Sequence, residues 1–109
     1  MAAQTKINKK IINEVQRFIV QIRQAKIPFE KVILFGSQAK GTAREYSDID
    51  VCVISKSFGE NRHTERVKLM LLKNEETIDI EPHPYHPRDF ADKWDSLAHE
   101  IKQYGIVIK

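Results

Sequence analysis

A chain of 109 residues has room for one hydrophobic core, so a single domain over residues 1–109 is expected, and 41% hydrophobic with 30% charged residues excludes disordered, collagen-like and rod-like classes. No apolar run is long enough to span a bilayer, the first ten residues lack the apolar centre of a signal peptide, and the lone Cys52 has no internal disulfide partner. A cytoplasmic protein with no membrane association is therefore expected. The net charge of +3 is uneven: residues 1–31 carry seven basic and two acidic side chains, diluted by apolar ones, which reads as a solvated helix face rather than a nucleic-acid tail.

Ile11, Val15, Phe18, Ile19 and Ile22 recur at helical spacing and predict a first helix, capped by Thr5 or Asn8 and ended before Pro28. Its stripe suits either the core or an interface, with a homo-oligomer among the options. Lys31–Phe35 is a short β-branched, apolar run halted by Gly36, the pattern of a buried strand. Residues 36–47 read as a loop with a helical turn around Gln38–Lys40. Asp48–Ser55 predicts a second strand. Ser57–Glu60 predicts a turn, and Asn61 caps a helix whose stripe is Val67, Met70 and Leu71.

Thr77–Glu81 alternates and predicts a third strand, bounded by Pro82 and Pro84. Both prolines remove donors from the same edge, so a strand continuing past Glu81 would leave that edge unpaired. Pro87 opens a helix through Phe90 and Trp94, and the period continues through Leu97, Ile101 and Tyr104 to Gly105, before a last short strand at residues 106–108. Phe29, Phe58, Tyr85, Phe90 and Trp94 are assigned to packing. The sum is an α/β (α+β) domain, a small mixed sheet covered by helices.

Two features carry chemistry. Asp48 and Asp50 stand two apart on a strand, so their carboxylates share a face about 6–7 Å apart at Cα. Like charges that close favour neutralisation by hard cations such as Mg²⁺, which pairs one or two carboxylates with phosphate oxygens. The plain alternative is a turn residue followed by a solvated one. The second feature is Gly36-Ser37-Gln38 after a strand. Glycine lets a ligand approach the backbone, Ser37 offers a hydroxyl, and a following helical turn aims N–H groups at an anion. The plain alternative is a simple turn. A Walker A loop is excluded, because Thr42 stands where its lysine is required. The four histidines, His63, His83, His86 and His99, lack zinc spacing and read as structural or surface residues.

Taken together, the ungapped run from Leu34 to Val51 resembles the signature of the DNA polymerase β-like nucleotidyltransferases: G-S-x-A-(R/K)-G, a spacer, then S-D-x-D. The short chain points to the minimal nucleotidyltransferase (MNT) branch and its palm-like fold. The resemblance implies transfer of an NMP, AMP from ATP, to a hydroxyl with release of pyrophosphate. It also implies that Asp48 and Asp50 hold two Mg²⁺ ions, and that Gly36 and Ser37 grip the triphosphate, with Lys40 and Ser47 supporting. Lys40 stands where arginine is commoner, keeping the charge without the planar fork. The resemblance further implies a third carboxylate, completing the metal site and serving as general base, and favours Glu81 over Asp79 for it; both are expected on one face. Branch members are often encoded beside a HEPN-domain partner, and the small size here leaves the acceptor to be expected on another chain. A non-catalytic antitoxin that neutralises its partner by contact is the alternative.

Overall fold

In the computed structural model, residues 8–44 and 47–109 are described; Thr5, one of the two candidate caps, lies outside them. Helix α1 (Lys9–Gln24) begins at Asn8, whose side chain accepts the Lys10 N–H at 2.9 Å. Val15, Phe18, Ile19 and Ile22 bury its apolar stripe, so that stripe serves the core. Strands β1 (Lys31–Phe35) and β2 (Ile49–Ile54) pair antiparallel, with the short helix α2 (Ser37–Lys40) between them. Helix α3 (Arg62–Met70) carries the chain across to β3 (Ile80–Tyr85), which pairs parallel with β2. A parallel neighbour demands such a crossover. One helical turn, α4 (Pro87–Phe90), then α5 (Ser96–Tyr104) lead to β4 (Ile106–Val107), which pairs antiparallel with β1. The sheet order is β3-β2-β1-β4, a mixed four-stranded sheet with helices, as expected.

Strand alternation sends the two faces to different partners. Val32, Leu34, Ile49, Val51, Val53 and Ile80 pack beneath α1 with Phe58 and Leu69. Ile33, Phe35, Cys52, Ile54 and Tyr85 face α5 through Ala98 and Ile101. On this second face β2 changes from apolar to acidic at Asp50, beyond the reach of α5's apolar contacts. Truncating Ile22, fully buried, to valine is expected to cost about 0.5–1.5 kcal/mol in denaturant unfolding, the usual cost of one lost core methyl group.

Four expectations need correction. Residues 77–79 are not strand. Asn74 and Thr77 close a capping box around a 3₁₀ turn (Glu75–Thr77), and the Thr77 hydroxyl donates to Gln21 Oε1 at 3.0 Å, which fixes the turn against α1. The third strand instead runs through both prolines. Ile49 and Ser55 donate to the carbonyls of Asp79 and Tyr85, so odd-numbered positions face β2 and the prolines face the sheet's outer edge, where no donor is needed.

On α3 it is Leu69 that is buried, while Val67, Met70 and Leu71 are exposed. The helix lies along edge strand β3 and buries a narrower stripe than the periodicity suggested. Finally, the predicted last helix is broken between Phe90 and Ser96. Asp95 caps α5 by accepting the Ala98 N–H at 3.0 Å, and Trp94 in the break is 83% exposed rather than packed.

Candidate active site

Gly36 ends β1 with φ 71° and ψ −153°, a region that in practice only glycine occupies. The reason lies next door: a Cβ on Gly36 would collide with Asp50 Oδ2. The Gly36-Ser37 turn and the Asp50 carboxylate are therefore in direct apposition. Asp50 is the register partner of Phe35 on one side and of Glu81 on the other. Adjacent strands lie about 4.8 Å apart, and register partners in a sheet share a face, so Asp50 and Glu81 project together.

Asp48 sits one residue before β2 and is exposed. Ser47 steadies the approach to it: its Oγ accepts the Arg44 N–H at 2.7 Å, and its carbonyl accepts from Gln38 Nε2 at 3.4 Å. Lys40 turns toward α5, where its ammonium meets Glu100 at 3.2 Å and lies over the Tyr104 ring at 4.9 Å.

Asp79 and Glu81 do not share surroundings. Asp79 precedes β3, so strand alternation does not extend to it, and it lines a cleft of about 590 Å³ with Glu14, Arg17 and Arg44. Its N–H donates to Glu14 Oε2 at 3.1 Å. Burial pushes the Glu14 carboxyl above its ordinary value, outweighing that hydrogen bond, and the nearby Asp79 charge adds to the rise.

A carboxyl with a raised folded-state pKa lends stability that is present below its ordinary value of 4.5 and is lost as pH rises through the folded value. Glu14→Gln, which keeps an acceptor for the Asp79 N–H, is therefore expected to raise the melting temperature slightly at pH 7. The gain should vanish below pH 4.5 in a thermal melt series.

Two groups that the sequence did not mark for the site meet the candidate carboxylates: His83, expected to be a structural or surface residue, and Arg66. His83 Nε2 lies 3.4 Å from Asp50 Oδ1, and its ring meets Phe35 edge-on at 5.0 Å between centroids. Arg66 on α3 donates to Glu81 Oε2 at 2.9 Å. His83 had a usable signal, since it lies two residues beyond Glu81 and so shares its face. Arg66 had none, because its partner becomes visible only once α3 is laid along β3. Farther along the same face, Tyr85 donates to Asp95 at 3.1 Å, and burial with that bond pushes its phenol up to about 12. Burial pushes the Cys52 thiol up to about 12 as well, so it is an inert core group.

The donor set of Asp48, Asp50 and Glu81 offers only carboxylate oxygens, which suits a hard cation such as Mg²⁺ and not a softer one. The apposition of Asp50 to an open glycine backbone suits the phosphates such a cation would carry. Among the described residues, however, no three His, Cys, Asp or Glu side chains are gathered closely enough to hold a metal ion. Glu81 is committed to Arg66, and Asp50 has His83 beside it.

A family model described as "Nucleotidyltransferase domain" matches residues 8–107. A candidate protein adenylyltransferase of Methanocaldococcus jannaschii is 58% identical over 31 residues, which span 28% of this chain and 21% of that protein, about a fifth of its length. Among solved structures, a candidate nucleotidyltransferase of Sulfolobus solfataricus superimposes with TM-score 0.64 at 15% identity, over 90% of this chain and 78% of that one. A toxin–antitoxin solved with AMP-PNP gives TM-score 0.58 at 23% identity, over 90% of this chain and 72% of that one. A complex of a tri-AMPylated HEPN toxin of Shewanella oneidensis with its MNT antitoxin gives 0.52 at 20% identity, over 92% and 71%. With a family model covering nearly its whole length and a fold shared with these structures, the chain belongs to the nucleotidyltransferase domain family.

Proposed function

We propose that this chain is a cytoplasmic, Mg²⁺-dependent nucleotidyltransferase that moves AMP from ATP to a hydroxyl on a protein partner of the HEPN type, in the manner of an MNT antitoxin. The observation that carries the reading is the Asp50 carboxylate set against Gly36, with Glu81 as its neighbour in register on β3. Support for the nucleotide comes from the AMP-PNP in one structural relative, and support for the acceptor from the AMPylated toxin in another. The 31-residue likeness to a candidate protein adenylyltransferase points the same way.

In this reading Asp48, Asp50 and Glu81 hold the divalent cations, whose chemistry is to neutralise the triphosphate and favour in-line displacement at the α-phosphorus. Gly36 leaves its backbone open to the β- and γ-phosphates, and Ser37 offers them its hydroxyl. Glu81, on the far side of Asp50 from that turn, accepts the proton of the acceptor hydroxyl. The new bond joins the acceptor oxygen to the α-phosphorus. The bond from that phosphorus to the bridging oxygen breaks, and the electron pair leaves with pyrophosphate.

The test is transfer from labelled ATP to whatever protein co-purifies with the chain. Label in the α-phosphate is expected on the partner, none from the γ-phosphate, with one pyrophosphate per transfer. Transfer of γ label, or neutralisation of the partner with no label at all, would replace the reading with a kinase or with a contact antitoxin.

A further inference from the structure

Glu81 and Asp50 are register partners on one face of the sheet, yet each has a different neighbour, His83 beside Asp50 and an arginine of α3 on Glu81. Arg62 and Arg66 are four residues apart and so share one helix face, which lies along β3. Arg62 stacks over the Tyr85 ring at 4.3 Å, with Asp95 and Asp89 at 3.8 and 4.0 Å. Arg66, one turn on, reaches Glu81 at 2.9 Å through a single guanidinium nitrogen.

We infer that Arg66 is a positioning residue that holds Glu81 away from Asp50 and releases it when metal and nucleotide arrive. This rests on the metal-site role proposed above. The geometry suits a releasable hold. The pair is half-exposed, with side-chain exposures of 46% and 30%, and it is joined by one hydrogen bond rather than a bidentate fork. Such a pair holds a side chain in place without locking it. When Glu81 leaves, Arg66 remains beside solvent in a cleft of about 270 Å³ and strands no buried charge. Arg62 is otherwise: tied to a ring and two carboxylates, it anchors α3 against the second core, and its ion pairs among the described residues are with Asp89 and Asp95.

The experiment measures Mn²⁺ binding by the paramagnetic resonance of free Mn²⁺, in the presence of a non-hydrolysable ATP analogue and without turnover. Arg66→Gln is expected to tighten Mn²⁺ binding about three- to fivefold, the scale of one exposed ion pair. Arg66→Lys, which can still pair, should stay within about twofold of the parent. Arg62→Gln removes the same charge from the same cleft, so it should tighten binding less than Arg66→Gln does. Equal tightening by Arg62→Gln and Arg66→Gln, or none by Arg66→Gln, overturns the inference. The metal-site role itself fails separately, if the parent binds Mn²⁺ no better than Asp50→Asn does.

Discussion

Asp50→Asn is expected to reduce nucleotidyl transfer by about a thousandfold while leaving the fold intact, equivalent to about 4 kcal/mol of lost transition-state stabilisation. The residue is half-buried, so asparagine keeps its volume and one acceptor oxygen next to Gly36. What it removes is the negative charge at a position set against the glycine turn and paired in register with the third strand. A bound cation contributes several kcal/mol by neutralising charge on a transferring phosphoryl group, and a neutral amide is a poor seat for it. The measurement is the initial rate of labelled AMP transfer, paired with a thermal melt. An equal rate at equal stability would mean that Asp50 holds no cation during the reaction.

Gly36→Ala should be nearly as damaging, for a different reason. With φ 71° and ψ −153°, an alanine there costs about 1–3 kcal/mol in backbone strain. Its Cβ also meets the Asp50 carboxylate, which must swing aside. A misplacement of about 1 Å at a reacting centre costs roughly a hundredfold in rate, so transfer should fall by at least that much. Ile22→Val supplies the comparison: a stability loss of about 0.5–1.5 kcal/mol, from a buried position on α1, with the rate per folded molecule unchanged. If both variants lose activity in step with stability, the turn has no special part in the chemistry.

The elements around Asp50 were legible because local pattern and tertiary setting agree there. The β-branched run of β1, the glycine that ends it and the stripe of α1 each describe their own burial. The third strand was misplaced because its boundaries are not local. Pro82 and Pro84 deny donors to one edge, and only the sheet order reveals that this edge faces outward. Thr77 alternates like a strand residue but is captured by Asn74 and Gln21. The same limit governs the site. Asp50 is readable as a candidate from type and spacing, whereas Glu81, and the preference for it over Asp79, come only from the family resemblance. The partners of those carboxylates are not readable in this way. His83 and Arg66 arrive from the strand register and from the angle at which α3 crosses β3, neither of which has a short-range signature.

Asp48, Asp50 and Glu81 are expected to come together on metal-bound nucleotide beside Gly36. Crystals grown with Mn²⁺ and a non-hydrolysable ATP analogue test it most directly, through the anomalous signal of the metal. Manganese is expected with oxygens of all three carboxylates at about the 2.0–2.1 Å usual for Mg²⁺, and the triphosphate over the Gly36-Ser37 backbone. Metal and nucleotide seated instead in the cleft between α1 and Asp79, or bound with Glu81 taking no part, would contradict it.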